Sequence, residues 1–140
     1  MEPASDTLNR LRRGLLWTLV AGLLGTGAEL LLLGHIEGAT QFIPLVLIAL
    51  AIGVALWHAW ARSPVSGRVL RGVMALCVVA GVLGIGLHYR GNLEFELEMY
   101  PTMAGAELIQ KVATGATPVL APGAMSLLGV VGWLITWRTS

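Results

Sequence analysis

Three side chains in this sequence could handle a proton, a cation or a cofactor in apolar surroundings: Glu29, His35 and His88, with the hydroxyl of Thr26 close to the first of them. Glu29 falls near the end of an apolar run, residues 14–33. At 1.5 Å per residue such a run spans about 30 Å, the thickness of a bilayer's hydrocarbon core. A charge inside a span costs about 3 kcal/mol or more and normally faces protein or water. The expectation is therefore that Glu29 is turned against the remaining apolar runs. Thr26 lies three residues earlier, one helical turn away, and His35 and His88 belong to the same membrane level if the first and third runs cross in the same direction. A carboxyl with one or two imidazoles near a membrane surface suits a proton relay, a cation site or a ligand pocket. The same residues can instead form a structural lock, with Glu29 hydrogen-bonded to Thr26, a histidine or backbone.

Other chemistries have less to stand on. Haem can be held between histidines of facing membrane helices, which would make His35 and His88 the pair. A divalent metal would need His35, Glu37, His88 and a further glutamate, and their spacing is not that of a compact ligand motif. Ser126 lies in an apolar run without a Gly-x-Ser-x-Gly surround, and there is no His-Glu-x-x-His or phosphate-cradling glycine loop. The reading is therefore of no catalytic residues, no resident cofactor and no metal. Cys77 is the single cysteine, so an intrachain disulfide is excluded and a packing role is expected.

The elements that must position these groups follow from composition. Of 140 residues, 56% are hydrophobic and 12% charged, where soluble domains carry about a quarter charged residues. Mean hydropathy is +0.77. The chain reads as an all-α integral membrane protein, a single membrane domain of four transmembrane helices forming a bundle. The spans fall at approximately 14–33, 42–60, 70–88 and 118–137, with residues 1–9 as a mobile tail and 89–117 as a long outer connector. The first run is too long for a signal-peptide core and reads as an uncleaved span. Trp57 and Trp60 close the second run as an aromatic belt, with His58 an interfacial anchor between them. Pro122 is expected either to kink the fourth run or to mark its true start.

Sign is strongly segregated along the chain. Arg10, Arg12, Arg13, Arg62, Arg68, Arg71 and Arg138 fall in the tail, the middle connector and the end of the last run; the other two connectors hold only Arg90 and Lys111. The positive-inside rule then places both termini in the cytoplasm, in a multi-pass arrangement expected in a bacterial inner membrane. Small residues mark helix seams in lipid, because lipid tails already satisfy apolar surfaces. Thr18, Gly22, Gly25, Thr26 and Glu29 form one such stripe, and Cys77, Gly81, Gly84 and His88 another.

In the outer connector, Leu93, Phe95, Leu97 and Met99 alternate with Glu94, Glu96 and Glu98. That period of two predicts a short extended segment, and a docking strip for a partner protein. After Pro101, the spacing of Leu108, Ile109 and Val112 predicts a short amphipathic helix at the interface, within the connector between spans three and four. The function most consistent with these features is non-enzymatic: an accessory, scaffolding or assembly subunit whose partners are the bilayer and another membrane protein or a second copy, with no nucleic-acid role. The alternatives are a small proton- or cation-coupled transporter using Glu29, and a haem- or metal-binding electron carrier using His35 and His88.

Overall fold

The computed structural model describes residues 4–36 and 38–137. Among these the regular structure is all helical: α1 (Ala4–Leu32), a 3-10 turn at Ala39–Gln41, α2 (Phe42–Ala61), α3 (Pro64–Met99), α4 (Gly105–Ala113) and α5 (Gly123–Ile135). Three helical stretches are long and apolar enough to cross a membrane, Ser5–Leu32, Ala39–Ala61 and Pro64–Met99, so the chain is a membrane protein by length and composition. α1 packs on α2 and α5, and α3 packs on the same two, most extensively on α5. α1 and α3 make no close backbone approach. The core is built from Leu16, Leu19, Val20 and Leu23 of α1, Ile48, Ala51 and Ala55 of α2, Leu70, Met74 and Cys77 of α3, and Met125 of α5.

Helix ends follow local chemistry. Of the tail expected over residues 1–9, residues 1–3 lie outside the described residues and 4–9 are helical, since α1 begins at Ala4: nothing after Pro3 breaks a helix, and Asp6 complements the dipole of the first turn. It ends at Gly34, whose φ of +65° is the left-handed conformation that glycine adopts without a Cβ penalty. The His35 N–H reaches back to the Leu30 carbonyl (2.9 Å) and the Gly34 N–H to that of Leu31 (3.1 Å), a Schellman termination. α2 and α3 are joined by a tight hairpin. Arg62 takes φ +44°, Ser63 caps α3 by accepting the Ser66 N–H through Oγ (3.1 Å), and Pro64 occupies the first turn. His58 Nδ1 lies 2.9 Å from Ser66 Oγ, so the expected interfacial anchor also ties the two arms of this hairpin together.

α5 begins at Gly123 and not at residue 118. Pro118 and Pro122 stand four apart, so an α-helix through both would lack the N–H that should reach the Pro118 carbonyl. The chain uses i→i+3 bonds instead, Ala121 to Pro118 (3.2 Å), Gly123 to Leu120 (2.9 Å) and Met125 to Pro122 (3.0 Å), and becomes α-helical only afterwards. Of the two alternatives, Pro122 marks the start.

The largest departure from the sequence reading is at 93–99, which is helical. α3 has 36 residues, about 54 Å, and runs from the hairpin through the apolar stretch and on to Met99. Nothing before Pro101 stops it, and the Arg90–Glu94 ion pair (2.7 Å) is at i,i+4 spacing, which a helix satisfies and a strand does not.

Candidate functional site

The polar residues singled out in the sequence are dispersed. Leu16, Leu19, Val20 and Leu23 define the buried face of α1, and Glu29 lies well round the helix from them, exposed. Among the described residues no hydrogen bond or ion pair reaches its carboxylate. Of its stripe, Gly22 meets Leu128 of α5, while Gly25 faces open space and the Thr18 hydroxyl donates to its own helix at Gly14 (3.0 Å). Thr26 is half-buried, and His35 sits in the turn beyond the Schellman bond. His88 is held elsewhere, with Nδ1 3.0 Å from the Pro118 carbonyl, a contact that requires the proton on Nδ1. His35 follows α1 and His88 lies on α3, helices that are not neighbours. No three His, Cys, Asp or Glu side chains converge among the described residues, and Glu37 lies outside these residues.

The second small-residue stripe does pack. A Cβ on Gly81 would meet Ser126 and the Pro122 carbonyl oxygen (2.7 Å), and one on Gly84 would meet the Pro122 ring (2.7 Å). From the other side, a Cβ on Gly129 would strike the Met74 carbonyl (2.6 Å). The α3–α5 backbones therefore approach through glycine on both faces, as tight membrane crossings require. Ser126 contributes a hydrogen bond across the seam to the Val78 carbonyl (3.0 Å). Its role is packing and polar contact between helices.

Above this seam lies a site that sequence reasoning missed. Asn92, in the C-terminal part of α3, is 3% exposed, and its amide is fully used. Nδ2 donates to the carbonyls of Val112 (2.9 Å) and Thr117 (2.8 Å), and Oδ1 accepts from Thr117 Oγ1 (2.7 Å) and Thr117 N (3.2 Å). All four positions an amide offers are filled, and a flipped amide would oppose donors to donors and acceptors to acceptors. Gly115 lets the connector come close, since a Cβ there would stand 2.8 Å from the Asn92 amide. Asn92 thus latches the end of α4 and the segment before α5 onto α3. No periodicity signals it, because its partners are 20 and 25 residues away.

The latched extension rearranges the expected docking strip. On a helix, residues 93–99 cannot share two alternating faces. Glu96 turns inward (8% exposed), Leu93 is half-buried, and Glu94, Leu97 and Glu98 are exposed on other sides. Phe95 and Met99, four residues apart on one face, are 51% and 58% exposed. Beyond them Tyr100 and Glu107 border a shallow depression of about 440 Å³ at the tip. α4 turns Val112 and Leu108 inward and leaves Ile109 exposed.

At the opposite end stand all five tryptophans, Trp17, Trp57, Trp60, Trp133 and Trp137, every one exposed. Comparison with known proteins adds no relative: no family model matches the chain, and neither a curated protein nor a solved structure does.

Proposed function

We propose that the chain is a non-enzymatic accessory or assembly subunit of a membrane complex, a four-span bundle with both termini in the cytoplasm, that docks a partner through the outer extension of α3. The observation that carries this reading is the latch. α3 continues about 17 Å past residue 88, and the four bonds of Asn92 hold α4 and the connector against it. A rigid arm that projects Phe95, Met99 and Tyr100 beyond the apolar layer, flanked by Glu98 and Glu107, presents an apolar centre with an acidic rim. That surface fits a membrane-protein partner with an apolar and basic outer face. α4, with Ile109 exposed, is read as lying along the outer interface. The exposed position of Glu29, well round α1 from its buried face, gives a proton-coupled transporter no comparable support.

Site-specific photocrosslinking in native membranes tests the docking surface. Crosslinkers at Phe95 and Met99 should give a single partner adduct that one at Val82 does not give, and Phe95→Glu with Met99→Glu should abolish co-purification of that partner. Equal labelling from all three positions would refute the surface. The orientation has its own check: reporter fusions at Gly67 and at the C-terminus should report the cytoplasm, and one at Glu96 the outside. A C-terminal fusion reporting the outside would remove the fourth span.

A further inference from the structure

The methionines among the described residues divide by environment. Met74 and Met125 belong to the helix core, 0% and 4% exposed. Met74 also lies in the α3–α5 seam, where a Cβ on Gly132 would strike its sulfur. Met99, the last residue of α3, is 58% exposed. Met103 follows in the turn, half-buried, with its N–H donating to the Tyr100 carbonyl (3.0 Å). A thioether reacts with peroxides that can reach its sulfur, and the sulfoxide formed puts a polar acceptor where an apolar atom stood. At Met74 or Met125 that change would disrupt the packed core. At Met99 it leaves the scaffold alone. The arm is set by the four bonds of Asn92 and by the Tyr100 N–H to Glu96 carbonyl bond (2.8 Å), and none of them uses the Met99 side chain. The part that changes is the apolar centre made by Phe95 and Met99. The carboxylates of Glu98 and Glu107 beside it accept hydrogen bonds and cannot satisfy a further acceptor.

We propose that Met99 is a reversible oxidation site, and that its conversion to the sulfoxide by a peroxide releases the partner from the arm. The peroxide O–O bond breaks, one oxygen passes to the sulfur and the other leaves as water or an alcohol. The thioether is thereby oxidised by two electrons and the peroxide reduced by two. Methionine sulfoxide reductases return the sulfur to the thioether. The inference rests on the docking role proposed above for the arm, and its test separates the two.

The full chain in mild detergent is treated with graded hydrogen peroxide and its peptides are read by mass spectrometry. Met99 should be oxidised at least about 10-fold faster than Met74 and Met125, with the thermal midpoint unchanged while only Met99 is modified. In native membranes, the partner adduct from a crosslinker at Phe95 should fall about 10-fold as the Met99 sulfoxide accumulates, because a buried acceptor without a donor opposes docking, and should return on treatment with both reductase types. In Met99→Leu the ratio of adduct with and without peroxide should rise to about one, a loss of sensitivity that follows from removal of the reactive sulfur. Should that variant form no adduct, the parent decides: adduct loss must track the Met99 sulfoxide and not that of Met103. Oxidation of Met99 no faster than that of Met74, an adduct that survives complete Met99 oxidation, or undiminished peroxide sensitivity in Met99→Leu would overturn the proposal. Absence of any adduct in untreated membranes would overturn the docking role, and this proposal with it.

Discussion

Gly81→Ala is expected to destabilise the protein, while Gly86→Ala, five residues along the same helix, is expected to leave it unchanged or stabilise it. At Gly81 the added Cβ would come within 2.7 Å of the Pro122 carbonyl oxygen and of the Ser126 nitrogen, both backbone atoms that cannot rotate away. α5 would have to move off α3, breaking the Ser126–Val78 hydrogen bond (3.0 Å) with it. Overpacking a tight site costs about 1–3 kcal/mol, and Gly81→Leu should prevent α5 from docking at all. At Gly86 nothing lies within 4 Å, so the substitution only restricts the unfolded chain and improves helix propensity, worth up to about 1 kcal/mol. Val82→Leu, on the exposed side, should be neutral to within about 0.5 kcal/mol. Thermal unfolding in detergent reads all of these. Shifts of the same sign and size at Gly81 and Gly86 would show that α3 and α5 do not meet through this seam.

The glycine seam was legible in the sequence because close packing in lipid depends on small side chains at helical spacing, and Gly81 and Gly84 satisfy that on one helix by themselves. The apolar runs were legible for a similar reason, since a bilayer demands a continuous stretch. The direction of Glu29 was not. The core-facing and outward faces of α1 are both apolar or small, so a stripe such as Thr18, Gly22, Gly25 and Glu29 does not reveal which side meets protein, and in the structure only Gly22 does. The 93–99 segment misled for a different reason. Leu, Glu, Phe and Met at alternating positions fit a strand, but the same residues are compatible with a helix, and the Arg90–Glu94 spacing and the lack of a breaker before Pro101 decide for the helix. Pro122 could be read as either a kink or the true helix start because a proline's effect is local, whereas the start read at residue 118 gives way to i→i+3 turns. The latch could not be read, since only the fold brings residues 92, 112 and 117 together.

That latch gives the second large effect, and its chemistry sets a sign with pH. Asn92→Asp keeps the shape of the side chain and the oxygen that accepts from Thr117, but it replaces the two N–H donors with a carboxylate oxygen facing the carbonyls of Val112 (2.9 Å) and Thr117 (2.8 Å). Two buried acceptors lose their donors and confront a negative charge, so the connector should loosen by about 2–4 kcal/mol at neutral pH. Burial and the two carbonyls both favour the protonated acid, so the folded-state pKa of the new carboxyl is raised above its unfolded value near 4. The folded state then binds more protons, and the penalty is small below the unfolded pKa and grows until the pH passes the folded one. Amide hydrogen exchange across 112–118 should therefore be fast at pH 7 in Asn92→Asp and markedly better protected near pH 4, after correction for intrinsic exchange. Thr117→Val, which removes only the 2.7 Å hydroxyl bond, should loosen the same amides modestly and without that pH dependence. If Asn92→Asp left exchange in the connector at parent levels at pH 7, the connector would not be held to the C-terminal part of α3 by this residue, and the rigid arm on which the proposed partner docking depends would lose its physical basis.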